Sequence, residues 1–132
     1  MKISIITPTY NSEQFLYDNL KSINSQNYKN LEHIFIDNLS NDKTLDILKD
    51  YKKKVDYNVT IYSSKDNGIY YAFNKGLKYV KGDLVTIVNS DDYLSNKFVL
   101  RKVLKIFKNK KKNFLYSNVK IVSRFNKNKL LR

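Results

Sequence analysis

The chain contains no cysteine, and this excludes disulfide frameworks, thiolate metal centres and cysteine nucleophiles together. Its single histidine, His33, lies inside an apolar run with no Asp, Glu or Cys around it at metal-ligand spacing, so it reads as a packed histidine. Only three glycines occur, which argues against a glycine-rich dinucleotide turn; there is no phosphate loop with lysine and no nucleophile elbow. No run approaches the roughly twenty apolar residues of a membrane span. The apolar start, residues 1–6, is too short for a signal peptide before Pro8, Asn11 and Glu13 intervene. With 132 residues there is room for one core and not for two. The lack of thiols is compatible with a reducing cytoplasm, where the chain is expected to reside.

Acidic residues are missing from the last quarter. Residues 101–132 hold twelve Lys and Arg and no Asp or Glu, whereas the first hundred carry thirteen basic against twelve acidic groups. The net charge of +13 is therefore almost wholly a property of the C-terminal region. Such a region suits an anionic partner, either a membrane surface, a nucleic acid or an anionic glycolipid. A coding bias toward Lys and Asn on solvated helix faces explains it equally well.

Apolar strand-like runs near residues 3–7, 31–36, 58–63, 83–88 and 113–122 alternate with helical spacing, the pattern of stacked βαβ units. Leu16, Leu20 and Ile23 line one helix face, and Leu45, Leu48 and Tyr51 a second. Ala72, Phe73, Gly76, Leu77 and Val80 serve a third; Leu100, Val103, Leu104 and Phe107 serve a fourth. Caps are expected at Asn11 or Ser12, at Ser40, Asn41 or Asp42, and at Ser95 or Asn96, with Gly82 stopping the third helix. The unbroken run Leu84-Val85-Thr86-Ile87-Val88 predicts a strand buried on both faces of a parallel sheet.

That run ends in Asn89-Ser90-Asp91-Asp92, placing adjacent carboxylates at the carboxyl end of a strand, where α/β enzymes collect their ligands. Two like charges there suit a hard divalent cation whose shell a phosphate completes. Thr7-Pro8-Thr9-Tyr10-Asn11 follows the first strand, where the Tyr10 ring and nearby hydroxyls could hold a base and ribose, or simply turn the chain into a helix. Asp37 ends the second strand, where a carboxylate either accepts a ring N–H such as that of uracil or merely closes the strand. Asp42 reads as a helix cap. Asp66-Asn67-Gly68 follows the third strand and turns into the third helix, on which Lys75 reads as a surface lysine unless the helix lies beside a diphosphate.

In this order and at these strand ends, the clusters resemble the family 2 glycosyltransferases over nearly the whole chain. Ile5-Ile6-Thr7-Pro8-Thr9-Tyr10-Asn11 is similar to the family's opening strand and turn, and Asp37 with Ser40 and Asp42 to its nucleobase motif. Asp66-Asn67-Gly68-Ile69-Tyr70 with Ala72, Asn74, Lys75 and Gly76 is similar to a motif of surface-polysaccharide enzymes, and Asn89-Ser90-Asp91-Asp92 to the DXD-type motif. The resemblance implies a truncated GT-A (Rossmann-like) α/β fold, a mostly parallel sheet with alternating helices. It spans residues 1–125 as the nucleotide-sugar-binding domain, with residues 126–132 as a basic tail. It further implies that Pro8, Thr9, Tyr10, Asp37, Asp66 and Asp91 line the donor nucleoside site. Asp92, with Asp91 as a second candidate, would hold Mg²⁺ or Mn²⁺ on the diphosphate.

The reaction implied is inverting transfer from a nucleoside-diphosphate sugar, UDP-linked, to a glycan or glycolipid; separately, the charge of the basic C-terminal region suggests peripheral membrane contact. Tyr71 stands where the subgroup usually has Asp, Phe73 where Met is frequent, Lys43 where Gly is common, and Asn118 where an acidic residue is usual. Family members continue well beyond this length and there supply the general base, for which no residue here is assignable. An alternative reading is therefore a catalytically incomplete remnant or nucleotide-sugar-binding module. A basic nucleic-acid binder, stacking bases on Phe114, Tyr116 and Phe125, is a weaker one because no recognised module accompanies it.

Overall fold

The computed structural model describes residues 1–110 and 113–123. Strands β1 (Ile3–Thr9), β2 (Leu31–Asp37), β3 (Asn58–Ser63) and β4 (Leu84–Ile87) alternate with helices α1 (Glu13–Asn24), α2 (Thr44–Lys54), α3 (Ile69–Leu77) and α4 (Val99–Lys110). The strands form one parallel sheet in the order β3-β2-β1-β4. This is the α/β architecture expected, with all four strands parallel.

Side-chain alternation along the central strands divides the interior in two. Ile3, Ile5, Leu31 and Phe35 face a core built with Leu16, Leu20 and Ile23 of α1, Leu48 and Tyr51 of α2, and Leu100 and Leu104 of α4. Each such aliphatic side chain contributes about 1.5–3 kcal/mol on burial. Ile6, Ile34 and Ile36 face the other way, against Ala72 of α3. Gly76 lets α3 lie directly on β1, because a Cβ there would come within 2.6 Å of Ile6 Cγ2.

At the amino-terminal end of the sheet, Glu32 is buried and fastens three segments. Its carboxylate accepts from Lys2 Nζ (2.7 Å), Ser4 Oγ (2.6 Å) and the Lys81 N–H (2.7 Å). Burial alone would raise its pKa, but these donors outweigh it and hold the carboxyl below the usual range.

Three expectations fail here. Residues 113–122 do not form a fifth strand: apart from an isolated bridge at Val122 they are irregular, with Phe114, Tyr116 and Val119 more than three-quarters exposed. Apolar content alone does not make a strand without a partner ladder. The β4 strand is buried on one face only. Its register puts Ile87 beside Ile6 on the α3 side, but α3 covers β1 and β2, leaving Val85 44% and Ile87 41% exposed. Finally, α3 ends at Leu77, and Gly82 serves close approach rather than helix termination. A Cβ on Gly82 would meet Ser4 Oγ at 2.6 Å and the Lys2 carbonyl at 2.8 Å. The boundary at residue 125 and the tail 126–132 lie outside the described residues.

Candidate functional site

Chain order and strand order part company at β1. The chain moves outward from β1 through β2 to β3, then returns to place β4 on the other side of β1. The carboxyl ends of β1 and β4 therefore flank a topological switch point, the place where open α/β sheets bind ligands. The β1–α1 turn and Asn89-Ser90-Asp91-Asp92 meet there, and Ser12 Oγ donates to Ser90 Oγ across the gap at 3.0 Å.

The loops after β1 and β2 are sewn together by exchanged caps. The Glu13 N–H at the start of α1 donates to Asp42 Oδ2 (3.1 Å), while the Lys43 N–H donates back to Glu13 Oε2 (2.9 Å). The Asn11 N–H donates to Ser40 Oγ (3.0 Å) and the Asn41 N–H to Asn11 Oδ1 (3.0 Å). Asp42 also accepts from the Thr44 N–H (2.9 Å). Partial burial would raise the Asp42 pKa, but these bonds hold its carboxyl low. Asn11 (φ 46°) and Leu39 (φ 52°) both sit in the left-handed region, an unfavourable conformation for leucine that the stitched loops impose. Asp42 thus caps as expected. Ser12 precedes α1 without a side-chain cap, its hydroxyl being committed to Tyr10 and Ser90.

Asp37 is fully buried beneath these loops. Its carboxylate accepts from Thr9 Oγ1 (3.0 Å), the Ser40 N–H (3.0 Å), Ser63 Oγ (2.7 Å) and Ser40 Oγ. Four donors match the roughly four lone-pair sites of a carboxylate. A base N–H reaches Asp37 only when one of these lets go. On the third loop, Asp66 is half-buried: its N–H donates to Asn38 Oδ1 (2.8 Å), and its own Oδ1 accepts from the Gly68 N–H (2.9 Å) at φ 114°, a conformation suited to glycine. Asp66 opens on a cleft of about 510 Å³ that Lys65, Tyr71, Lys75 and Tyr79 also line. Lys75 Nζ is held by Ser64 Oγ, so the lysine belongs to this cleft rather than to open solvent.

The Asn89–Asp92 turn hangs from one residue that the sequence patterns did not single out. Asn19 is buried in α1, and its amide donates to the Asn89 carbonyl (2.8 Å) and the Asp92 carbonyl (3.0 Å). The signal was present: a polar residue three positions after Leu16, on the stripe that buries Leu16, Leu20 and Ile23. Asp91 and Asp92 are exposed, and Asp92 Oδ2 accepts from Asn89 Nδ2 (3.0 Å). No cluster of three His, Cys, Asp or Glu that could hold a metal exists among the described residues. Two hard carboxylates, with the buried Asn89 Oδ1 beside them lacking a hydrogen-bond partner among the described residues, fit a cation that arrives with a diphosphate and fills its shell from it and from water. They do not fit a closed protein cage.

Beneath the turn runs a buried polar relay. Thr7 Oγ1 donates to the Val88 carbonyl (2.7 Å), so His33 Nε2–H must donate to Thr7 (2.9 Å), leaving Nδ1 to accept from Tyr51 OH (3.4 Å). Tyr51 in turn accepts from Tyr57. This ordering requires one neutral tautomer, and complete burial lowers the His33 pKa to about 3. The histidine is structural, as expected.

Of the residues expected to line the site, Tyr10, Asp91 and Asp92 are exposed and available to a ligand, and Pro8 and Asp66 are half-buried. Thr9 and Asp37 are buried and bonded to each other.

The glycosyl transferase family 2 model matches residues 4–132. The chain is 36% identical over 104 residues to a dolichyl N-acetyl-alpha-D-glucosaminyl phosphate 3-beta-D-2,3-diacetamido-2,3-dideoxy-beta-D-glucuronosyltransferase of Methanococcus voltae, covering 76% of this chain and 32% of that protein. It is 39% identical over 104 residues to the poly(ribitol-phosphate) beta-glucosyltransferase of Bacillus spizizenii, covering 76% of this chain and 16% of that one. Among solved structures, Staphylococcus aureus TarS residues 1–349 in complex with UDP-GlcNAc superposes with a TM-score of 0.76 at 29% identity, covering 91% of this chain and 38% of the other. The chain thus spans about a third or less of the length of these curated relatives.

Proposed function

This chain belongs to glycosyl transferase family 2, and on that premise we propose that it forms the donor half of an inverting glycosyltransferase acting on a nucleoside-diphosphate sugar. The observation that carries the reading is the switch-point crevice, where exposed Asp91 and Asp92 stand at the end of β4 next to the β1 turn that bears exposed Tyr10. Pro8 and Tyr10 form the wall against the base, and Asp66 takes its polar edge. Thr9 and Asp37 hold the floor through the bonds that fix Ser40 and Ser63. Asp91 addresses ribose or the cation, and Asp92 the cation. Mg²⁺ or Mn²⁺, when bound there, supplies Lewis-acid neutralisation of the departing diphosphate. Asn19 keeps both carboxylates at the mouth by holding the turn's carbonyls, work done before the ligand arrives.

The base is assigned as uracil, in keeping with the UDP-GlcNAc bound by TarS. The acceptor is assigned as a surface glycan or glycolipid, in keeping with the poly(ribitol-phosphate) and dolichyl N-acetyl-alpha-D-glucosaminyl phosphate in the relatives' names. We place the reaction in the cytoplasm, a reducing compartment suited to a chain without cysteine. One observation favours a second reading, a nucleotide-sugar-binding module: every Asp and Glu lies at or before Asp92, and none is placed as a base for an acceptor. Thermal shift with UDP, GDP and CDP, each with Mn²⁺, tests the donor reading: UDP should raise Tm most, and three equal shifts would overturn the uracil assignment. Release of UDP from UDP-sugars with an acceptor panel then separates enzyme from module.

A further inference from the structure

Beside the loop that leads into β2, α4 borders a cleft of about 820 Å³. Arg101, Lys102, Lys105 and Lys108 line it together with Tyr28 and the 44% exposed ring of Phe98. The Asn27 N–H donates to the Lys97 carbonyl (2.9 Å), fixing the loop before β2 against the entry to α4. All four cations are exposed, and none makes an ion pair among the described residues. At spacings of three and four residues they repel one another. The fold gains nothing from this row; what α4 contributes to the core is the buried pair Leu100 and Leu104.

We infer that this face of α4 docks on an anionic membrane surface. Charge complementarity supports it: a basic row with no acid on the same helix faces outward, flanked by aromatic rings of the kind that settle at a lipid headgroup boundary. The described segment after α4 adds exposed apolar side chains, of which the aromatic pair Phe114 and Tyr116 would serve lipid or base alike, whereas the aliphatic Val119 and Ile121 suit lipid alone. Phe114, Tyr116, Val119 and Ile121 are 76%, 85%, 79% and 54% exposed. Basic residues combined with exposed apolar ones are the two-signal recipe for stable peripheral binding.

Co-sedimentation of the full chain with phosphatidylcholine vesicles, with and without phosphatidylglycerol, tests the inference. Binding should require phosphatidylglycerol and weaken as salt rises. Lys105→Gln with Lys108→Gln should lower partitioning about 30-fold, at about 1 kcal/mol per charge. Phe114→Ser with Tyr116→Ser should remove the part that survives high salt. UDP affinity should be unchanged in both variants, and Asp92→Ala should leave vesicle binding intact, so failure here is distinct from failure of the donor assignment. Equal binding to neutral vesicles, indifference to the lysine substitutions, or release from vesicles by an RNA oligonucleotide at matched phosphate concentration would each overturn it.

Discussion

Acidification from pH 7 to pH 5 should weaken the fold through one residue. His33 is the only histidine, is fully buried, and accepts no proton until about pH 3, whereas in the unfolded chain it titrates near 6.5. Between those values the unfolded state binds the extra proton, so stability falls as pH falls. The His33 contribution is complete above 6.5 and is lost progressively toward pH 3. At about 1.36 kcal/mol per pKa unit, the loss between pH 7 and pH 5 is about 2 kcal/mol, rising to about 5 kcal/mol once both states are protonated. Glu32 and Asp42, whose carboxyls are held low, add only below their ordinary values of 4.5 and 3.8. Against a total of about 5–15 kcal/mol for a typical domain, this decides acid tolerance. Urea unfolding followed by tyrosine fluorescence at both pH values measures it. His33→Gln should be less stable at pH 7, because the Thr7–His33–Tyr51 relay is disturbed, yet nearly flat between pH 7 and pH 5. A flat wild-type response, or a slope that persists in the variant, would mean that His33 does not set the acid sensitivity of the fold.

Other outcomes follow from the same contacts. Asn19→Ala should cost about 1–3 kcal/mol of stability by stranding the Asn89 and Asp92 carbonyls, and should also weaken UDP binding, read by urea melts and fluorimetry together. Asp37→Asn replaces an acceptor of four bonds with a group that donates on one side. Loss of about 1–3 kcal/mol, with loosening of the Ser40 amide in hydrogen exchange, is expected. Gly76→Ala should destabilise by about 1–3 kcal/mol through its clash with Ile6, and the double variant with Ile6→Ala should cost less than the two single losses combined.

Much of this molecule was legible in the residues because burial writes itself as periodicity. The first four strands and the four helices appear where their apolar spacing puts them, although in the third stripe Leu77 is half exposed and Val80 lies past the end of α3. The polar clusters follow the strands at the carboxyl edge of the sheet, the edge on which the switch point between β1 and β4 lies. Three features resisted. Residues 113–122 carry strand-like composition, but pairing depends on a neighbour that sequence does not name. The run Leu84-Val85-Thr86-Ile87-Val88 looked buried on both faces because its residues are uniformly apolar, yet α3 sits over β1 and β2 and leaves one face of β4 bare. Within the site, Thr9 and Asp37 had the right chemistry for a ligand and spend it on each other and on neighbouring loops. Long-range bonds of that kind, like the Asn19 amide on the Asn89 turn, join residues tens of positions apart and have no local signature.

On the proposed reading, Asp91 and Asp92 hold a cation through which a nucleoside diphosphate is bound. Titration calorimetry of UDP into the chain, with Mn²⁺ and with chelator, tests it most directly when repeated on Asp92→Ala. Binding should need Mn²⁺ and disappear in the variant. Equal UDP affinity with and without the cation, or in Asp92→Ala and the wild type, would contradict it.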